Sequence, residues 1–445
     1  MKQALFRRVF GKSIFQGLDV ENVVVLGTDQ NLWLEHAPFG NLPPTRQQID
    51  GNVEAFDAVD ANTIYVLGSN GALWLEHGPF GAVPPQRQQV DGNVAAFDGI
   101  DANTIYVLGQ DGKLWLEHGP FNSVPPQRQQ VDGNVAAFDA IDSNTIYVLG
   151  QDGKLWLEHG PFGSVPPPRQ QVDGNVAAFA AIDANTIYVL GSNGALWLEH
   201  GPFGSVPPPR EQVDGNVAAF GAIDANTIYV LGQDGKLWLE FGPFSSVPPP
   251  RQQVDGNVAA FDSVDRNNVY VLGSDGKLWL EFGPFSTVPP RRAIVDALGF
   301  PSTLVWNGGV GFGSGATNAN SNFTLSMSSN GTVMFSGQYN DTGSIPIFTS
   351  PTQNWVAAVA VPAGGRLLAF TISGSTPSAS STTWNVPGSN QQISLLWPLI
   401  LGQRSTFRVS NSSDLGSILN QIENDLSEVV TVIGDVLPII AAIAG

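Results

Sequence analysis

The chain contains no cysteine among its 445 residues, which excludes disulfides, thiolate zinc sites and thiol nucleophiles without fixing a compartment. Charge is sparse and one-sided. Only 13% of residues are charged, and 20 Lys and Arg face 39 Asp and Glu, for a formal net charge of −19. Each phosphate contact wants a Lys or Arg that this composition withholds, so no nucleic-acid partner is expected. Long apolar runs are also missing. Lys2, Arg7, Arg8 and Lys12 interrupt Leu5, Phe6, Val9 and Phe10, leaving no apolar stretch of the roughly 7 to 15 residues that a signal peptide requires. The most hydrophobic segment, the 17 residues from Val429 to Gly445, contains Asp435 and Pro438. It falls short of the ~20 residues of a membrane helix. These absences give a soluble chain with no integral membrane segment and no standard cleavable signal peptide, either cytoplasmic or exported by another route.

What the sequence does hold is glycine, proline and phenylalanine (50, 32 and 25 residues) beside only three methionines, a composition of short strands and tight turns. It also holds a repeat. The tryptophan of an LWLE tetrapeptide falls at Trp33, Trp74, Trp115, Trp156, Trp197, Trp238 and Trp279, always 41 residues on. Seven units run from Phe10 to Asp296, starting near 10, 51, 92, 133, 174, 215 and 256, and the first is the most degenerate. In each unit, β-rich runs of the type VAAFDAI, TIYVLG, LWLEH and RQQVD are separated by turn chemistry such as Ser69-Asn70-Gly71, which supplies the residues a tight hairpin needs. Four antiparallel strands in about 40 to 45 residues is the size of a propeller blade. The expectation is an all-β, seven-bladed β-propeller. Small Ala55, Ala95 and Ala96 place the VAAF run innermost, and polar Arg87-Gln88-Gln89 places the last run at the outer edge. Ring closure is open between Leu5–Val9 and Arg292–Asp296.

From Ala297 lysine disappears and Ser, Thr, Gly and Asn dominate, so a boundary falls near 297 to 302. The expected division is a propeller at 1–297, a β-sandwich-like or roll domain at 298–411, and a C-terminal amphipathic helix with an apolar tail at 412–445. Alternation through Phe323–Met327, the Asn330-Gly331 turn and Thr332–Ser336 predicts a hairpin; Trp355–Val361, Leu367–Ile372 and Gln392–Leu396 read as further strands. Ser413-Asp414 caps a helical stripe of Leu415, Ile418, Leu419, Ile422, Leu426, Val429, Val430 and Ile433. That stripe at 414–433 is expected to pack on its own β-domain, with self-association into a homo-oligomer and membrane or target insertion as the alternatives.

The run VYVLGSDGKLWLE at Val269–Glu281, with its equivalents, resembles the repeats of tectonin and tachylectin-type propeller lectins. The resemblance covers about two-thirds of the chain and implies carbohydrate binding at several equivalent sites. The Pro-rich GPFGSVPPP loop has no counterpart in that pattern, and the Gly-His and Trp-Asp signatures of WD40 repeats are absent. The ligand-binding candidates are the seven Trp named above, the histidines His36, His77, His118, His159 and His200, and the turn acids Asp60, Asp101, Asp142, Asp183, Asp224 and Asp265. Two readings stay open for the rings: sugar stacking, or inter-blade packing. Replacement of His by Phe241 and Phe282 in the last two units argues against catalysis and metal ligation alike. The repeated Glu35, Glu76, Glu117, Glu158, Glu199, Glu240 and Glu281, paired with Asp60 and its equivalents, would be glycosidase carboxylates only if one enzyme needed seven copies of its acid and base. An ion pair of the Glu76–Arg87 kind on adjacent strands explains them more simply.

The main expectation is a multivalent lectin without enzymatic activity or cofactors, whose partners are glycans or glycoconjugates and whose weak sites gain by repetition. The alternative is a non-catalytic interaction scaffold that oligomerises through its C-terminal region. A glycoside hydrolase or lyase is the minor alternative.

Overall fold

The computed structural model describes residues 14–298 continuously and, beyond them, eight strand segments between 303 and 440. The chain divides into two compact units, Met1–Gly299 and Phe300–Gly445.

The first unit is a seven-bladed propeller, each blade a four-stranded antiparallel sheet in sequence order. Blade 2 is representative, with strands Val53–Asp60, Thr63–Gly68, Leu73–His77 and Gln86–Asp91. The first strands of successive blades lie side by side around the axis, so the VAAF run is innermost as its small residues foretold. The second hairpin closes where Gly71, at φ 77°, donates its N–H to the Gly68 carbonyl while Asn70 Oδ1 accepts the N–H of Ala72. A side chain at that φ would be strained, which is why the turn keeps glycine. The two middle strands are largely apolar because both faces are covered by neighbouring blades. Ile64, Tyr65, Val66, Leu67, Leu73 and Leu75 are all at most 1% exposed. Each cluster joins one blade to the next: Tyr65, Leu67, Leu73 and Leu75 of blade 2 pack with Ile105, Val107 and Phe121 of blade 3. Full burial of such side chains contributes about 1.5 to 3 kcal/mol apiece.

Polar ties run across the same seams. Tyr65 Oη donates to the carbonyl of Asp101, 36 positions on, and the equivalent bond recurs around the ring to Tyr270, whose hydroxyl reaches the Asp19 carbonyl of blade 1. Gly17 N–H donates to Asp262 Oδ2, and Gly40 N–H to the Ile294 carbonyl. The ring therefore closes face to face. The outer strand of blade 7, Arg291–Ala297, comes from its own unit, as does Thr45–Asp50 of blade 1, so the candidate closing segment Arg292–Asp296 completes its own blade. Leu5–Val9 lies outside the described residues. Near the axis, Asp57, Asp98 and Asp139 each accept a backbone N–H from the inner strand of the following blade. Blades 5 and 6 carry Ala180 and Gly221 at this position.

In the second unit, Thr303–Phe312, Ala319–Ser328, Thr332–Asp341 and Thr382–Ser389 form one sheet. Thr406–Asn411, Thr352–Ala363, Arg366–Pro377 and Leu437–Ile440 form another. The anticipated hairpin is present, with Leu325 opposite Phe335 and Met327 opposite Val333. Its alternation is real, since Leu325, Met327 and Val333 are buried while Met334 is exposed. Part of the apolar tail, Leu437–Ile440, pairs in parallel with Leu368–Thr371. The expected strand at 392–396 and the expected helix at 414–433 lie outside the described residues. Among the described residues no helix is long and apolar enough to cross a membrane.

Candidate functional site

Two features repeat around the propeller with enough exposed or chemically distinctive groups to be candidate sites. The first is a rim of loops at one end. In blade 2 the turn joining the inner two strands is held by Asp60, whose Oδ1 accepts the N–H of Asn62 at 2.7 Å. The same end carries His77, opposite Thr63, and then the Pro-rich loop that leads into the outer strand, fastened where Gly78 N–H donates to the Asn62 carbonyl. Phe80 anchors this loop. It and its equivalents in blades 3 to 7 are 5 to 7% exposed, while Phe39 of blade 1 is half-buried. In blades 4 to 7, Phe162, Phe203, Phe244 and Phe285 each meet, edge to face, the tyrosine of the preceding blade at 6.2 to 6.3 Å between ring centroids. Phe39 closes the set on Tyr270. Beyond the anchor the loop turns outward. Val83, Val124, Val165, Val206, Val247 and Val288 are 48 to 50% exposed, and Leu42 is 47% exposed in blade 1. These side chains stand out because every other valine of the blades from 53 to 298 avoids such exposure.

The second feature lies in the seams. Trp74 and Glu76 project from the opposite face of their strand to Leu73 and Leu75, toward the preceding blade. Trp74 is half-buried, and its ring is covered by the Arg87 guanidinium, 4.2 Å from the centroid. All seven Trp carry an arginine this way, at 4.1 to 4.2 Å. Arg87 also bonds Asp50 of the preceding blade at 2.9 Å and Glu76 of its own blade at 3.5 Å. Glu76 is fully buried and no donor reaches its Oε2. Burial, then the negative charge and hydrogen bond of Asp50, push its carboxyl up to about 8 against the pull of Arg87. Glu117, Glu158, Glu199 and Glu240 are raised equally, and Glu281 to about 9, for the same reasons. At the closing seam Glu35, 3.7 Å from Arg46 and beside Asp296, is also raised to about 9, with burial the leading cause. Burial likewise raises the seam tyrosines Tyr65 and Tyr106.

The three sets of sequence candidates are thus placed apart. Trp74 and His77, three positions apart on one strand, face opposite sides of the blade. Asp60 and His77 share an end of the blade but lie two strands apart, roughly 10 Å. The Asp series serves its own turns, at 2.6 to 2.7 Å from the Asn N–H in every copy, and Asp101, Asp142, Asp183, Asp224 and Asp265 lend their carbonyls to the neighbouring tyrosines. The histidines are half-buried. His36 Nδ1 lies 2.8 Å from Asn22 Oδ1, and in blade 7 Phe282 takes the slot beneath Arg291. Glu76 has Arg87 and Asp50 as its charged neighbours, and Asp60 is not among them. Among the described residues no cluster of three or more His, Asp or Glu could hold a metal. Sequence reasoning did not single out the loop valines, although their place in an unassigned Pro-rich loop was a signal; nor did it find Asp50 and its equivalents, whose partners lie one unit away.

No family model matches the chain, and no curated protein matches it. Among solved structures, it is similar at 12% identity and a TM-score of 0.43 to the WD40 β-propeller domain of Doa1, covering 64% of this chain and 96% of that one. It is also similar, at 12% identity and a TM-score of 0.43, to the C-terminal WD40 domain of Sif2, covering 66% of this chain and 87% of that one.

Proposed function

We propose that this chain is a non-catalytic interaction scaffold whose propeller presents seven near-identical loops to a protein partner. The observation that carries the proposal is the rim of outward valines on firmly anchored loops. An apolar side chain half exposed in one copy is unremarked surface, but the same exposure in seven copies at one end makes a patterned apolar surface. The partner's chemistry follows from the surroundings. The turn acids Asp60, Asp101, Asp142, Asp183 and Asp224 lie exposed at that end, while Lys113, Lys154, Lys236 and Lys277 sit in the opposite hairpins, each paired with an aspartate. The rim therefore suits a polypeptide that offers apolar side chains beside basic ones, and seven weak contacts would add through effective concentration. The lectin reading loses its main support because a stacking platform needs a bare aromatic face, whereas each of the seven blade Trp rings carries its own arginine.

The test uses the full chain and a variant with Val83→Ser, Val124→Ser, Val165→Ser and Val206→Ser. A random peptide library is selected on the first and counter-screened on the second, and both are applied to a glycan array. The proposal expects enriched peptides that combine apolar and basic residues and that lose binding to the variant. Coherent, sugar-competable glycan binding that is equal for both proteins would overturn it in favour of the lectin.

A further inference from the structure

At six of the seven seams the structure places two carboxyl groups around one guanidinium, and the charges do not balance; at the closing seam Arg46 reaches Glu35, with Asp296 beside it. Asp91 is well served, since Oδ1 accepts the N–H of Gly92 and Oδ2 accepts Arg128 at 3.1 Å. Glu117 is not. It is fully buried, its Oε1 lies 3.5 Å from Arg128, and no donor reaches Oε2. With both acids ionised, the seam would bury one uncompensated negative charge, which the low-dielectric interior resists strongly. Water is a poor remedy where the carboxyl has no exposed surface. A proton on Oε2 resolves both problems: it removes the net charge and turns the orphan oxygen into a donor facing the Asp91 carboxylate.

We infer that every seam is a proton-binding site in which a buried glutamic acid of one blade shares a hydrogen bond with the aspartate of the preceding blade beside an arginine, so that the propeller holds its blades together more tightly in acid than in base. The charged and titratable groups that face Glu117 are Arg128 from its own outer strand, Asp91 from the outer strand of the preceding blade, and Tyr65 from the second strand of that blade. The orphan Oε2 recurs in all seven copies, so it is a property of the repeat and not an accident of one seam. The raised carboxyls described above agree with this geometry. The sign follows by linkage: a glutamate free in the unfolded chain loses its proton near 4.5, the folded one near 8, and the stability it contributes is present in full below the lower value and lost as pH rises through the upper.

The test is a titration of the full chain labelled with ¹³C at glutamate Cδ, in the original sequence and in a Glu117→Gln, Glu158→Gln, Glu199→Gln variant. Glutamine keeps the shape and supplies the N–H that the protonated acid would supply as O–H. The expected result is a set of Cδ signals that still titrate above pH 7, depleted in the variant. Urea midpoints should fall between pH 6 and 9 in the original chain, and the variant should lose about three-sevenths of that fall. Glutamate signals that are all deprotonated below about pH 6 would overturn the inference, as would a variant whose stability keeps the full pH dependence. If the triple variant does not fold, the titration of the original chain decides the matter alone.

Discussion

At the seams charged side chains tie one blade to the next: Arg128 reaches Asp91, 37 positions earlier, while covering Trp115 and approaching Glu117. On the rim the loops are held as firmly at Phe121, buried against Tyr65, but Val124 three residues later is 49% exposed. Both regions repeat seven times. In the seam the repetition is architectural, because each copy must fit the next for the ring to close. On the rim nothing in the propeller consumes the repetition, and a patterned surface is left over. Sevenfold recurrence alone is therefore no mark of a binding site; recurrence without an internal partner is.

Substitutions can break this contrast, and the largest effect should come from the anchor that the two regions share. Phe162→Ala removes a buried ring from the joint between blades 3 and 4 and should cost about 3 to 5 kcal/mol in urea unfolding. Arg128→Ala strands two acids around one seam and should cost about 3 kcal/mol. Its deficit should be smaller at pH 6 than at pH 9, since protonated Glu117 asks less of the guanidinium. Tyr106→Phe deletes only the bond to the Asp142 carbonyl and should cost about 1 kcal/mol. Val124→Ser, on the rim, should change stability by no more than about 0.5 kcal/mol while weakening peptide capture. A rim valine that destabilises as much as Phe162 would show that the loops are architecture too.

Much of this was legible in the sequence. The 41-residue period, the four β-rich runs, the glycine-bearing hairpins and the innermost position of the small residues all follow from local pattern, because strand and turn chemistry is decided within a few residues. The Glu76–Arg87 pair was readable as well, as cross-strand neighbours on one sheet. What pattern could not supply was the relation between units. Arg87 finds Asp50 only once one blade is laid against the next, and a tryptophan between two leucines gives no hint that an arginine will cover its exposed side. The loop valines were illegible for another reason: a Pro-rich loop has no periodicity from which burial can be inferred. In the second unit, the alternating run at Phe323–Met327 revealed its hairpin because one face is buried and the other is not.

The contrast between seam and rim is tested most directly by the hydrogen-exchange footprint of a library-selected peptide bound to the full chain. The account predicts protection over residues 78–85 and the equivalent loops, with the outer strands Gln86–Asp91 and their equivalents unchanged. Protection confined to the Trp-bearing and outer strands, with the loops exchanging as freely as before, would contradict it.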